Sequence, residues 1–147
     1  MNRIEQAVAC FKEGFSCSQA VLSTYGPTLG LDRKTALRVS GAFGGGMGRM
    51  GQTCGAVTGA FMVIGLKYGK TRAEDNQTRD KAYSLVREFV DRFKSRNGSI
   101  VCKELLGCDM STPEGRKLSE EKKLVASVCP KFVQDACEII EQTILKH

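Results

Sequence analysis

Histidine is almost missing from this chain: of 147 residues only the last, His147, is one. That excludes a Ser–His or Cys–His catalytic pair, an HExxH zinc helix and a CxxCH haem attachment, so no covalent c-type haem is expected. No two of the seven cysteines form a CxxC, which argues against a thioredoxin-like motif and against a zinc ribbon. Long apolar runs are missing too. The longest, Ala60 to Leu66, falls far short of the ~20 residues needed to cross a bilayer. The segment Met1 to Phe15 carries Arg3, Glu5, Lys12 and Glu13 and no apolar h-region, so no signal peptide is read there. The expectation is a cytoplasmic protein, off the membrane, whose thiols stay reduced.

A basic stretch studded with aromatics is also absent. The 22 basic and 16 acidic residues leave a net charge of +6, but they are interleaved along the chain, as in Lys117 to Lys123. Such a pattern describes solvated helix faces, and no nucleic-acid partner is expected. What is present is an ordinary globular composition, with 41% hydrophobic and 26% charged residues, long enough for one domain spanning 1–147.

Periodicity and caps read as all-α, a single compact bundle of about six to seven helices with a Gly-rich loop before a buried helix. Ile4, Ala7, Val8 and Phe11 form one face of a first helix that stops near Gly14. Ser16-x-x-Gln19 is a capping box for a second helix to about Tyr25, and Asp32 caps a third. Thr53 is placed to cap a buried helix from Cys54 to Lys67. Thr71-x-x-Glu74 reads as a box opening the longest helix, about 72–96, which Asn97-Gly98 ends. Ser99 caps a short helix carrying Cys102. Residues 107–128 read as a loop with some helix in it, and Pro130 suits the first turn of a last helix.

On this map four cysteines fall at helix starts: Cys17, Cys54, Cys102 and Cys129. Unpaired N–H groups and the positive end of the helix dipole favour negative charge there, lowering a thiol's pKa toward the thiolate that attacks disulfides and binds metals. Cys137 lies on an apolar helical stripe and reads as core. Cys10 and Cys108 have no cap beside them and are read as incidental, Cys108 as an exposed thiol.

Eight of the sixteen glycines fall in residues 41–59. Gly46 to Gly51 spell GxGxxG, but no strand precedes them, so a dinucleotide fingerprint is not read there. The better reading is a close-approach loop in which Gly44, Gly45, Gly46, Gly48 and Gly51 support the site and deliver Cys54 to its partners. Its backbone N–H groups could also form an anion-binding concavity. Gly55 and Gly59 form a GxxxG that points to tight helix packing.

Cys17-Ser18-Gln19-Ala20, Gly44-Gly45-Gly46-Met47-Gly48, Cys54-Gly55-Ala56-Val57-Thr58-Gly59, Asn97-Gly98-Ser99, Cys102 with Leu105-Leu106-Gly107, and Cys129 together resemble the C_GCAxxG_C_C family, over nearly the whole chain from about Cys10. The family's label names redox activity and no particular reaction. The resemblance implies that Cys17, Cys54, Cys102 and Cys129 are its signature cysteines.

Two chemistries fit these four sulfurs. Pairs of thiols could cycle between dithiol and disulfide, with the lowered pKa setting reactivity. Alternatively Cys17, Cys54, Cys102 and Cys129 could ligate an iron–sulfur cluster or zinc, although separations of 37, 48 and 27 residues are unlike compact ligand motifs. A third reading is a helical interaction protein, such as a homodimer, with space-filling cysteines. An oxidoreductase with its own turnover and a thiol- or electron-transfer protein serving a redox partner are both compatible with the residues.

Overall fold

Short polar side chains start five of the helices, because an oxygen at the N-cap satisfies a backbone N–H that the helix leaves unpaired. In the computed structural model, which describes residues 1–146, Asn2 Oδ1 accepts from Glu5 N at 2.8 Å to open α1, Arg3–Lys12. His147, the single histidine, lies outside the described residues. Ser16 and Gln19 form the expected capping box of α2, Cys17–Tyr25. A 3₁₀ turn, Pro27–Leu29, leads to α3, Arg33–Ser40, capped by Asp32. Then come α4, Gly55–Tyr68, and α5, Asn76–Asn97. The chain closes with α6, Cys102–Leu106, α7, Pro113–Lys122, and α8, Leu124–Ile139, whose last turn relaxes into a π-helical segment, Ile140–Ile144. The fold is all-α, with eight α-helices among the described residues where six to seven were expected. Among the described residues the only β pairing is an isolated antiparallel bridge between Thr53 and Val101.

Three expected boundaries move. The start of α5 is set by Asp75, whose carboxylate accepts from both the N–H and the hydroxyl of Thr78, at 3.1 and 2.7 Å; Thr71 and Glu74 lie in the preceding turn. Asp is the stronger cap and wins over the competing box. Residues 113–122, expected in a mostly irregular segment, form α7, with Pro113 in its first turn and Thr112 capping Gly115 N at 2.9 Å. The last helix then begins at Leu124, not near Pro130, directly after Lys123 in a left-handed conformation (φ 52°). Pro130 lies inside this helix and removes the hydrogen bond to the carbonyl of residue 126. Ala126 is exposed, so water can take that carbonyl and the helix continues.

The centre is α4, apolar all round and buried through Ala56, Val57, Ala60, Val63 and Ile64. Its closest neighbour is α2, as the GxxxG predicts. A Cβ on Gly59 would stand 3.0 Å from Val21 Cβ and 3.1 Å from the Ser18 carbonyl oxygen, so only glycine allows this approach. Phe89 and Phe93 of α5, stacked at 6.0 Å between centroids, and Phe132 and Val133 of α8 complete the core. Among the described residues no helix is long and apolar enough to cross a membrane.

Candidate functional site

Cys17, Cys54, Cys102 and Cys129 all line one cavity of about 1000 Å³. The fold thus gathers four residues that are far apart in sequence. Cys17 is the first residue of α2 and half-buried, while Cys54, Cys102 and Cys129 are buried. Cys54 is itself the N-cap of α4, one position later than Thr53, the expected cap. Cys102 opens α6 behind Val101, and Ser99 supports the turn by accepting from Val101 N at 2.9 Å. Cys129 is a correction: it sits in the interior of α8, not at a helix start, because that helix begins five residues before it. The three helices that lack a side-chain cap, α4, α6 and α8, are those that bring Cys54, Cys102 and Cys129.

Glycine makes the convergence sterically allowed. A Cβ on Gly55 would lie 2.9 Å from Ser18 N and 3.3 Å from Cys17 Cβ, so its absence lets the start of α2 settle against Cys54. A Cβ on Gly46 would lie 2.7 Å from Cys102 Cβ, and one on Gly44 would lie 2.8 Å from Ser16 Cβ. The loop forms an unusual left-handed turn: Gly45, Gly46, Met47, Gly48 and Arg49 all have positive φ, as does Gly51. Backbone bonds from Gly51 N to Gly45 O (3.2 Å) and from Gln52 N to Gly46 O (3.0 Å) close it. The Thr53–Val101 bridge then ties two cysteines together. Cys54 N donates to Ile100 O at 2.8 Å, and Cys102 N donates to Gln52 O at 2.5 Å. Ser16 and Ser18 interact through their hydroxyls at 3.0 Å, and Gln19 Nε2 donates to Leu37 O at 3.0 Å, which anchors the start of α2 to α3.

The thiols differ sharply in acidity. Hydrogen bonds to Cys129 and to Cys54, followed by burial, push Cys17 well above the ordinary thiol range. Cys54 moves the other way. The Cys17 S–H donates to it and lowers its pKa, and the N–H groups of Ala56 and Val57 at the start of α4 add to this against the opposing effect of burial. Neither N–H makes a side-chain capping bond of standard geometry, so their influence is that of oriented dipoles. Cys102 is pushed up to about 12, chiefly by burial and then by charge on Cys54 and Cys129. The expected lowering at every helix start therefore holds for Cys54 but not for Cys17 or Cys102. In this cluster burial and thiol–thiol bonds outweigh the dipole and direct the negative charge to one sulfur.

All seven cysteines are free thiols in this structure. Cys137 lies in the core, fully buried. Cys108, expected to be exposed, is 8% accessible, and buried Cys10 faces Ser23 Oγ at 3.7 Å. For the metal alternative, no group of three or more His, Cys, Asp or Glu among the described residues is arranged to hold an ion. Gly44, Gly45, Gly46 and Gly48 of the expected loop line the cavity, but its apolar and charged side-chain walls were not read in the sequence. Phe11, Phe15, Leu106 and Phe132 supply apolar surface and Lys12, Arg49, Arg116 and Lys123 supply charge, from segments that no local pattern connects.

The family model described as "Putative redox-active protein (C_GCAxxG_C_C)" matches residues 15–143, a span containing all four clustered cysteines and the glycine loop. The chain belongs to the C_GCAxxG_C_C family. No curated protein and no solved structure matches it. Within this C_GCAxxG_C_C protein the match begins next to Ser16, the cap of α2, and ends within the π-helical turn after α8.

Proposed function

We propose that this protein is a thiol–disulfide redox protein in which Cys54 is the nucleophile and Cys17 the resolving thiol. The observation that carries the reading is the meeting of Cys17, Cys54 and Cys129 on one cavity wall, with the Cys54 pKa lowered chiefly by Cys17. The Cys54 thiolate attacks one sulfur of an oxidised disulfide, forming a mixed disulfide and expelling the first thiolate. Cys17 then gives up its proton to solvent and attacks the Cys54 sulfur, closing a Cys17–Cys54 disulfide and expelling the second thiolate. The substrate gains two electrons and the protein loses two. Cys129 lines the same cavity, which supports its exchange into that disulfide.

The reading fits the reduced cytoplasm, where a protein disulfide is transient and catalytic rather than structural. It is tested by oxidising the reduced protein with a mild disulfide and mapping the linked peptides by mass spectrometry. A Cys17–Cys54 link is expected, and Cys17→Ser should accumulate the mixed disulfide on Cys54. The reading is refuted if no disulfide joins any two of Cys17, Cys54, Cys102 and Cys129. It is likewise refuted if the Cys17→Ser, Cys54→Ser double variant exchanges as fast as the unaltered protein.

A further inference from the structure

Resting on the thiol–disulfide reading, we infer that the cavity takes a small anionic disulfide with an apolar body. A volume of about 1000 Å³ belongs to a small-molecule site; a single cysteine side chain offered by a protein surface would leave it largely unfilled. Its inner wall is apolar, with Phe15, Leu106 and Phe132 beside the sulfurs. The rim is basic. Lys12, Arg49 and Lys123 line it and are exposed, and none of them is in any of the ion pairs among the described residues. Glu120 is the one acidic residue on the lining. Unpaired cations around a concave apolar site concentrate anions there and speed their arrival.

The backbone adds an independent observation. Arg49 (φ 64°) and Lys123 (φ 52°) are two of the three non-glycine residues with positive φ among the described residues. Lys123 is the left-handed cap that ends α7, whereas Arg49, inside the glycine loop, is a cationic side chain held at the cavity against its own backbone preference. The reaction is the exchange set out above: the small disulfide is cleaved to two thiolates, and Cys17 and Cys54 become the disulfide.

The test compares exchange of the fully reduced protein with two aromatic disulfides, dianionic dithiobis(nitrobenzoate) and neutral dithiodipyridine, each rate divided by that of a free cysteine peptide. Low and high salt are both used. The readout is the ratio of the anionic to the neutral rate. Arg49→Gly and Lys123→Gly remove charge where glycine relieves strain, so loss of folding does not confuse the result. In the double variant that ratio should drop about tenfold or more at low salt, and added salt should abolish the difference. An unchanged ratio overturns the inference, as does an intact disulfide in a substrate protein exchanging faster than either small molecule. If neither aromatic disulfide nor a protein disulfide reacts faster than with the free peptide, the thiol–disulfide reading itself falls, and the two failures are told apart by that control.

Discussion

Gly55→Ala is the change that should damage the site most for the fewest atoms. The added Cβ would stand 2.9 Å from Ser18 N and 3.3 Å from Cys17 Cβ. The nearer contact is backbone, which has no rotamer to move aside, and ordinary van der Waals contact begins near 3.4 Å. The start of α2 must therefore retreat by roughly half an ångström, a strain that overpacked cores register as about 1–3 kcal/mol. The retreat is directed at Cys17, whose thiol supplies the largest lowering of the Cys54 pKa. Two readouts should move together: the midpoint of denaturant unfolding falls, and the pH profile of Cys54 alkylation by iodoacetamide shifts upward. Gly59→Ala is the control. Its Cβ would press on Val21 Cβ at 3.0 Å and Ser18 O at 3.1 Å, but one turn (~6 Å) further along α4. It should lose similar stability with a smaller change in the alkylation profile. The reasoning is refuted if Gly55→Ala unfolds like the unaltered protein, or if both variants shift the profile equally.

Cys17→Ala should raise the Cys54 pKa, so the thiolate fraction and the alkylation rate of Cys54 at pH 7 fall; Cys17→Ser, which keeps a donor, should fall less. Gly46→Ala places a side chain at φ +74° with its Cβ 2.7 Å from Cys102 Cβ, and should lower stability by at least about 1–3 kcal/mol in chemical denaturation. Asp75→Ala removes the cap of α5 and should cost about 1 kcal/mol, whereas Thr71→Ala should be near neutral in thermal unfolding. For Cys102 the folded pKa of about 12 lies above the ordinary value of 9.0, so the unfolded chain releases its proton first. Its contribution is whole below pH 9.0 and is lost as pH rises toward 12; the fall in Tm of the reduced protein over that range should be shallower in Cys102→Ala.

Local signals were legible because they act within one turn of chain. The Ser16–Gln19 box, the Asp32 cap and the Asn97-Gly98 stop each need only a donor and acceptor three or four residues apart. The GxxxG of α4 was legible for the same reason, since small residues one turn apart leave a groove whatever fills it. Competition between local signals was harder to read. Asp75 overrode Thr71, and α8 ran back through Pro130 to Leu124, because packing of Leu124, Val128 and Cys129 against the core stabilises a helix that the proline alone would shorten. With that shift Cys129 moved from a helix start to a helix interior, yet it stayed in the cluster.

The residues alone determined the all-α class and the family. The acidity and surroundings of the cysteines were decided only by packing. A thiol's pKa depends on its neighbours within a few ångströms, and those that act on Cys17 are Cys54 and Cys129, 37 and 112 positions away in sequence. The glycine loop and the Thr53–Val101 bridge bring them together, direct the charge to Cys54, and surround it with a basic-rimmed cavity that no stretch of sequence contains.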